Sequence, residues 1–351
     1  MRTPGIGPVT YRQLVARFGS AGEALAAVPD LARRGGGSPP RLCSRDSAER
    51  EIAATERAGA QYLAIGLGLY PSLLAELDDA PPLVIARGKL NLLDSTAVAI
   101  VGARNASAAA CRFARGLAHD LGAERLVVVS GLARGIDSAA HDGALDTGTV
   151  AVVAGGIDVF YPPENEERQR TLYERGLVLA EMPPGTEPRS RHFPYRNRII
   201  AGIGAGTVVV EAAPRSGSLI TARLAAEAGR EVMAVPASPL DPRAQGCSQL
   251  IRDGATLVQS AADVVEALRP LERRVASPPS PYAADAVEPA DEADALGRIE
   301  QLLGPSPAPV DEILRLSGAA SGAVQMALLE LDLAGRLERH AGGRVSLRPA
   351  S

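Results

Sequence analysis

Between residues 62 and 268 the chain repeats one pattern: a short apolar run, a loop of small residues, then an Ala/Leu-rich stretch. The runs are TAVAIV (96–101), RLVVVS (125–130), TVAVVA (149–154), GLVLAE (176–181), TVVVEA (207–212) and EVMAVP (231–236). They are apolar almost throughout, not at every second position. That predicts strands covered on both faces, hence a parallel sheet. Helices over 106–121 and 218–229 fall between the runs. The alternation predicts an α/β domain built on a doubly wound parallel sheet.

The flanks carry other patterns. Residues 1–58 read as short helices with Gly-rich breaks, including the loop 33–40. Residues 270–292, PLERRVASPPSPYAADAVEPADE, are rich in Pro, Ala and acids and predict a linker. In residues 293–351 three helical segments (about 294–303, 310–316 and 320–334) precede GRLERHAGGRVSLRP. This last stretch predicts two strands turning at Gly342–Gly343, so the tail reads as a winged helix.

Composition narrows the chemistry. The 351 residues are 46% hydrophobic but only 3% aromatic, without Trp, so Ala, Val, Leu and Ile must build the core. Net charge is -4, which confines any polyanion site to a local patch. Cys43, Cys111 and Cys247 offer neither a disulfide framework nor metal spacing, and the four His form no ligand cluster. No metal or cofactor is expected. With no hydrophobic signal segment in MRTPGIGPVTY and no apolar run of about 18 residues, a soluble cytoplasmic protein is expected.

In open α/β sheets, ligands sit beyond the carboxyl ends of the strands. Four loops of this chain belong to that edge. VGARNAS follows the first run: Gly102 admits a ligand to the backbone, Arg104 can fork onto a phosphate, and Ser107 can cap the next helix. SGLARGIDSAAH follows the second, with Ser130 and Gly131 in a tight loop and Asp137 as a helix cap. AGGIDVFYPPEN follows the third and carries Gly155 and Gly156. PRSGSLITA follows VVVEA, where Ser216, Gly217, Ser218 and Thr221 open a helix whose free N–H groups suit an anion. None of these loops matches GxGxxG or GxxxxGK[ST]. Together they predict a broad anion-binding groove, suited to an extended polyanion.

One stretch sharpens this. RSRHFPYRNRII (189–200) places Arg191, Arg196 and Arg198 with His192, Phe193, Tyr195 and Asn197 in a chain otherwise poor in aromatics. Guanidinium forks pair with phosphates and rings stack on bases. The same residues also fit a helix start with Pro194 at its first position, so at least one arginine is expected to pin neighbouring loops. Signals for catalysis are poor. Asp137 and His141 are four apart on a helix, a spacing that chance often produces. Glu211 ends a strand at the binding edge, where accepting loop N–H groups is its expected role.

The ordered motifs AIVGARNAS, VVSGLARGIDSAAHDGAL, VAVVAGGIDVFYPPEN, FPYRNRIIAGIGAGTVVVEAAPRSGSLITARLAAEAGREVMAVP and GCSQLIRDGATLV resemble the DNA-processing protein A (DprA/Smf) family over about residues 62–260. The resemblance implies an extended Rossmann-like domain that binds single-stranded DNA, in a protein that protects incoming strands and loads the RecA recombinase during natural transformation. It also implies a homodimer without enzymatic activity, and DNA contacts at Arg104 and at the group Arg191, Arg196 and Arg198. TPGIGPVTYRQLVARFGS resembles the SAM or helix-hairpin-helix module of some members, and the tail resembles their winged helix. Its third helix, ASGAVQMALLELDLAG, has no basic residue and carries Glu330 and Asp332, so a protein-contact or regulatory role is expected there. The alternatives are a nucleoside-monophosphate phosphoribohydrolase of lysine-decarboxylase-like fold, which lacks support because no glutamate follows the RSGSLIT loop, and a winged-helix transcription factor, which the acidic third helix disfavours.

Overall fold

The computed structural model of the chain describes residues 2–238, 240–275, 290–340 and 342–348. They fall into two compact units. One joins Met1–Arg45 to Pro279–Ser351, and the other is Asp46–Pro278. The first begins with α1 (Pro8–Phe18) and α2 (Ala21–Arg34), the latter capped by the Ser20 hydroxyl, which accepts from the Glu23 N–H.

The α/β unit runs α3 (Arg45–Arg57), β1 (Gln61–Ala64), α4 (Ser72–Ala75), β2 (Leu83–Gly88), β3 (Ala97–Val101), α5 (Ala108–Ala123), β4 (Val127–Ser130), α6 (Ile136–Ala144) and β5 (Thr149–Gly156). It continues with α7 (Glu166–Arg175), β6 (Leu177–Met182), α8 (His192–Ile203), β7 (Gly206–Val209), α9 (Gly217–Glu227), β8 (Glu231–Ala234), α10 (Gln245–Arg252), β9 (Thr256–Leu257) and α11 (Ala261–Val275). The nine strands form one sheet in the order β1-β2-β6-β5-β4-β3-β7-β8-β9. The seven from β6 to β9 in that order are parallel, as the apolar runs predict. β1 and β2 were not predicted: they add an antiparallel edge, with β2 pairing β6 and β1 pairing β2.

Alternate residues of the central strands enter opposite layers. Val98, Ile100 and Val128 pack towards α5 and α6, while Ala99, Val129 and Val152 pack with Ile199 and Ile200 of α8. Both faces are therefore dry, which is why the runs do not alternate in polarity. β3 lies between β4 and β7, so the chain leaves it in opposite directions. The carboxyl ends of β3 and β7 mark the switch point, where such sheets hold ligands.

The tail consists of α12 (Ala290–Leu302), β10 (Ala308–Pro309), α13 (Val310–Ser317), α14 (Ser321–Leu333), β11 (Leu337–His340) and β12 (Arg344–Leu347). Its strands form a small sheet ordered β10-β12-β11. This is the expected winged helix, with the wing turning at Gly342 and Gly343, both at positive φ.

α3 packs with the α/β unit, where the Tyr62 hydroxyl donates to Glu51 at 2.9 Å, and the compact unit that holds the N-terminal helices takes in residues up to Arg45. The expected linker 270–292 is helical over 270–275 and 290–292, while 276–289 lie outside the described residues. Among the described residues, no helix is long and apolar enough to cross a membrane.

Candidate nucleic-acid interface

The loops after β3 and β7 and the start of α8 border a groove of about 670 Å³ at the switch point. Gly102, Arg104, Phe193, Arg196, Asn197 and the Ser216–Gly217–Ser218 turn with Thr221 all line it. The recess beside it shares Arg104, Phe193 and Arg196 and reaches Gly131, Arg134 and Tyr161. Sequence positions up to 142 residues apart, from 101 to 243, thus meet on one sheet edge.

Phe193 is the hub. The exposed Arg104 guanidinium lies 5.1 Å from its ring centre, and the Arg196 guanidinium lies 5.8 Å away. Tyr161, 44% exposed, tilts at 57° to the Phe193 ring with centres 5.9 Å apart. The arrangement offers ring faces and cations side by side, which is the equipment for stacking bases between phosphate contacts.

Arg196 serves both fold and groove. Only 7% exposed, it lines the groove while its Nη1 approaches the Asp137 carboxylate at 3.9 Å. Burial lowers its pKa, and Asp137 opposes that effect. Burial likewise raises the pKa of Asp137, against the pull of Arg196 and of the Ala133 N–H, which donates to it at 3.3 Å. Gly131 makes this possible: a Cβ there would overlap the guanidinium of Arg196.

At the other wall, α9 presents its first turn. Ser216 caps it, its hydroxyl accepting from the Ser218 N–H and lying 2.7 Å from the Ser218 hydroxyl. Asn197 braces the turn by donating to the Gly217 carbonyl at 3.4 Å. Arg215 stands exposed just before the cap, and Arg243, paired with Asp241 at 2.8 Å, lines the same wall. Amide groups, hydroxyls and cations therefore face one concave surface, which suits an anion.

Several expected contacts prove to be structural. The Ser107 hydroxyl donates to Glu211 at 2.7 Å and accepts from the Ala110 N–H, so it ties α5 to the end of β7. Glu211 also accepts the Ser107 N–H at 3.0 Å, as expected of it. The Ser130 hydroxyl, fully buried, donates to the Ile100 carbonyl at 2.7 Å. Gly155 and Gly156 pack against carbonyl oxygens of Thr186 and Pro183 and do not line the groove.

The start of α8 also differs from expectation. The helix opens at His192, two residues before Pro194. His192 is buried and its Nδ1 accepts the Arg189 N–H at 3.3 Å. Burial and then the charges of Arg191 and Arg189 lower its pKa, which disfavours the charged form. Arg191 is exposed at the helix start. Arg198 turns away from the groove to the buried Glu181, donating from Nη2 to both carboxylate oxygens at 2.7 Å. Asp137 and His141 do not work together either. The Nδ1 of His141 lies 2.7 Å from the Thr149 hydroxyl, which itself donates to the Val128 carbonyl. That fixes Nδ1 as the N–H donor inside the core.

Tyr161, Arg134, Arg215 and Arg243 were missed as groove residues. Arg215 carried a signal in hindsight, as a cation directly before a capped helix. Arg134 and Tyr161 lie in the SGLARGIDSAAH and AGGIDVFYPPEN loops already expected at that edge, whereas Arg243 is brought in by a segment after β8 whose course the sequence pattern does not encode.

Comparison with known proteins agrees along the chain. Residues 61–269 match the model of DNA recombination-mediator protein A, residues 1–54 that of the DprA-like N-terminal HHH domain, and residues 280–343 that of the DprA winged helix domain. The chain is 48% identical over 198 residues to the DNA processing protein DprA of Streptococcus pneumoniae, covering 56% of this chain and 70% of that protein. It is 30% identical over 382 residues to Protein Smf of Synechocystis, covering 98% and 96%. The X-ray structure of the Streptococcus pneumoniae protein superposes with a TM-score of 0.60 at 43% identity, over 64% of this chain and 78% of that one. DNA processing protein A of Helicobacter pylori, whose structure concerns its single-stranded DNA binding mode, gives 0.54 at 26% identity, over 62% and 98%. The α/β sheet, its switch-point groove and both flanking modules together make this chain a member of the DNA recombination-mediator protein A (DprA/Smf) family.

Proposed function

We propose that the protein binds single-stranded DNA in the switch-point groove, without strong sequence preference, and does no chemistry on it. The observation that carries this reading is the Phe193 hub. Two guanidinium groups and a second ring surround one aromatic ring beside an amide-rich helix start. Single strands expose bases for such stacking, whereas a duplex hides them. Among the described residues that line the groove, Asp137 is the one carboxylate, and it is held by Arg196 and the Ala133 N–H. This supports binding over hydrolysis. The binding mode described for the Helicobacter pylori relative supports the same ligand. Family membership supports the further roles we assign: protecting incoming strands and loading the RecA recombinase during natural transformation, as a cytoplasmic homodimer.

A salt-titrated anisotropy curve on oligo-dT and on a duplex of equal length tests the reading. Oligo-dT should bind more tightly, and its affinity should fall with a log-log slope of roughly 0.7 per phosphate neutralised. A duplex preference at equal salt would refute it, and release of free base from AMP would favour a phosphoribohydrolase.

A further inference from the structure

In a winged helix used to read DNA, the third helix enters the major groove with its outer face. Here that helix, α14, has two apolar faces. Val324, Ala327, Leu328 and Leu331 pack into the winged-helix core with Ile299 and Ile313. Met326, Leu329 and Leu333 point the other way, into a second core with Leu14 of α1 and Val28 and Leu31 of α2. Val28 and Leu31 are essentially inaccessible to water.

Polar groups close the seam around this core. Gln13 donates to the side-chain oxygen of Gln325 at 3.1 Å, and Arg339 donates to Gln13 at 3.2 Å. The Thr10 hydroxyl donates to Asp332 at 2.9 Å. Arg34 pairs with the buried Glu330 at 3.0 Å, and Arg336 donates to the Gly35 carbonyl at 3.2 Å. The backbones touch as well, since a Cβ on Gly35 would collide with the Glu330 carbonyl. Gln325 is the one amide on α14 suited to reading an adenine edge, and it is already spent on Gln13.

We infer that α14 is a protein-docking helix whose ligand is the chain's own N-terminal helical module. The winged helix therefore reads no DNA groove, and the two ends of the chain fold and unfold as one unit. The basis is contact chemistry. Seven apolar side chains lose water on both sides of one helix, and the acidic residues that would repel a phosphate backbone, Glu330 and Asp332, are each matched by a partner from the other module. This inference does not rest on strand binding by the groove.

Two measurements on the full chain decide it. In a Cys43→Ser, Cys111→Ser background, Gln13→Cys with Gln325→Cys should be joined within one chain by a short bismaleimide. Affinity for oligo-dT and for duplex should stay within twofold of the unlinked protein. A covalent dimer, or failure to link while both thiols react singly, overturns the intrachain assignment. A tenfold loss of duplex affinity on linking overturns the claim that α14 reads no DNA. The second measurement needs no DNA. Val28→Asp should raise the rate of tryptic cleavage at Arg336 and Arg339 at least tenfold, because the tail loses its cover. A tail that stays as protected as in the parent overturns the coupling of the two ends.

Discussion

Arg198 holds Glu181 through a single nitrogen that reaches both carboxylate oxygens at 2.7 Å, with both side chains buried. Arg198 stands on α8 and Glu181 near the end of β6, so the pair fastens the groove-bearing helix to the sheet. Removing one partner of a buried pair costs about 3–5 kcal/mol, because the other charge remains in a dry site. Arg198→Met should therefore lower stability by that order in chemical denaturation, while the double change Arg198→Met with Glu181→Leu should recover most of it. A single variant as stable as the parent would remove the pair from the account of the fold.

Arg104 and Arg191 are exposed and lie outside such pairs' cores. Arg104→Ala should leave the melting temperature unchanged and weaken oligo-dT binding by about 1.5–3 kcal/mol, the worth of one charge-assisted contact. Arg191→Ala should act in the same direction. Anisotropy and thermal melts on the same preparations check both. Wild-type affinity in the Arg104 variant would take that residue out of the interface.

Gly131 gives Arg196 its seat. Gly131→Ala puts a methyl group where the guanidinium lies, and overpacking of this kind costs about 1–3 kcal/mol. The variant should lose stability and oligo-dT affinity together, since Arg196 also faces the Phe193 ring. Loss of one without the other would separate the two roles assigned to Arg196.

His141 predicts a pH response. Burial, then the charge of Arg168, pushes its pKa from 6.5 down to about 3. The unfolded chain takes up this proton below about pH 6.5, whereas the folded one refuses it until about pH 3. Stability is thus whole above pH 6.5 and falls as pH drops from there towards 3, by up to about 1.4 kcal/mol per unit. Denaturation curves at pH 7.5 and 5 should show the loss, and His141→Leu should reduce it. An unchanged slope in the variant would assign the loss to other groups.

The sequence by itself determined the parallel sheet, the winged helix and the family. Apolar runs in TVAVVA or RLVVVS can be satisfied only between two covering layers, and the motif order fixed where the loops meet the sheet edge. It also placed Arg104, Phe193 and the Ser216–Ser218 turn at the groove, because each directly borders a strand or helix end. What it left open was which way each cation of RSRHFPYRNR points. Arg191, Arg196 and Arg198 look alike in a chain of letters, yet one is exposed, one is shared between Asp137 and the groove, and one is buried on Glu181. The carboxylates that pair with Arg196 and Arg198, Asp137, Glu181 and Asp79, come from residues 17 to 119 positions away, brought close only when the sheet forms. The same holds for the ends of the chain. Nothing local to α14 names Leu14 and Val28 as its cover; that pairing joins residues about 300 apart, and only the packed structure decides it.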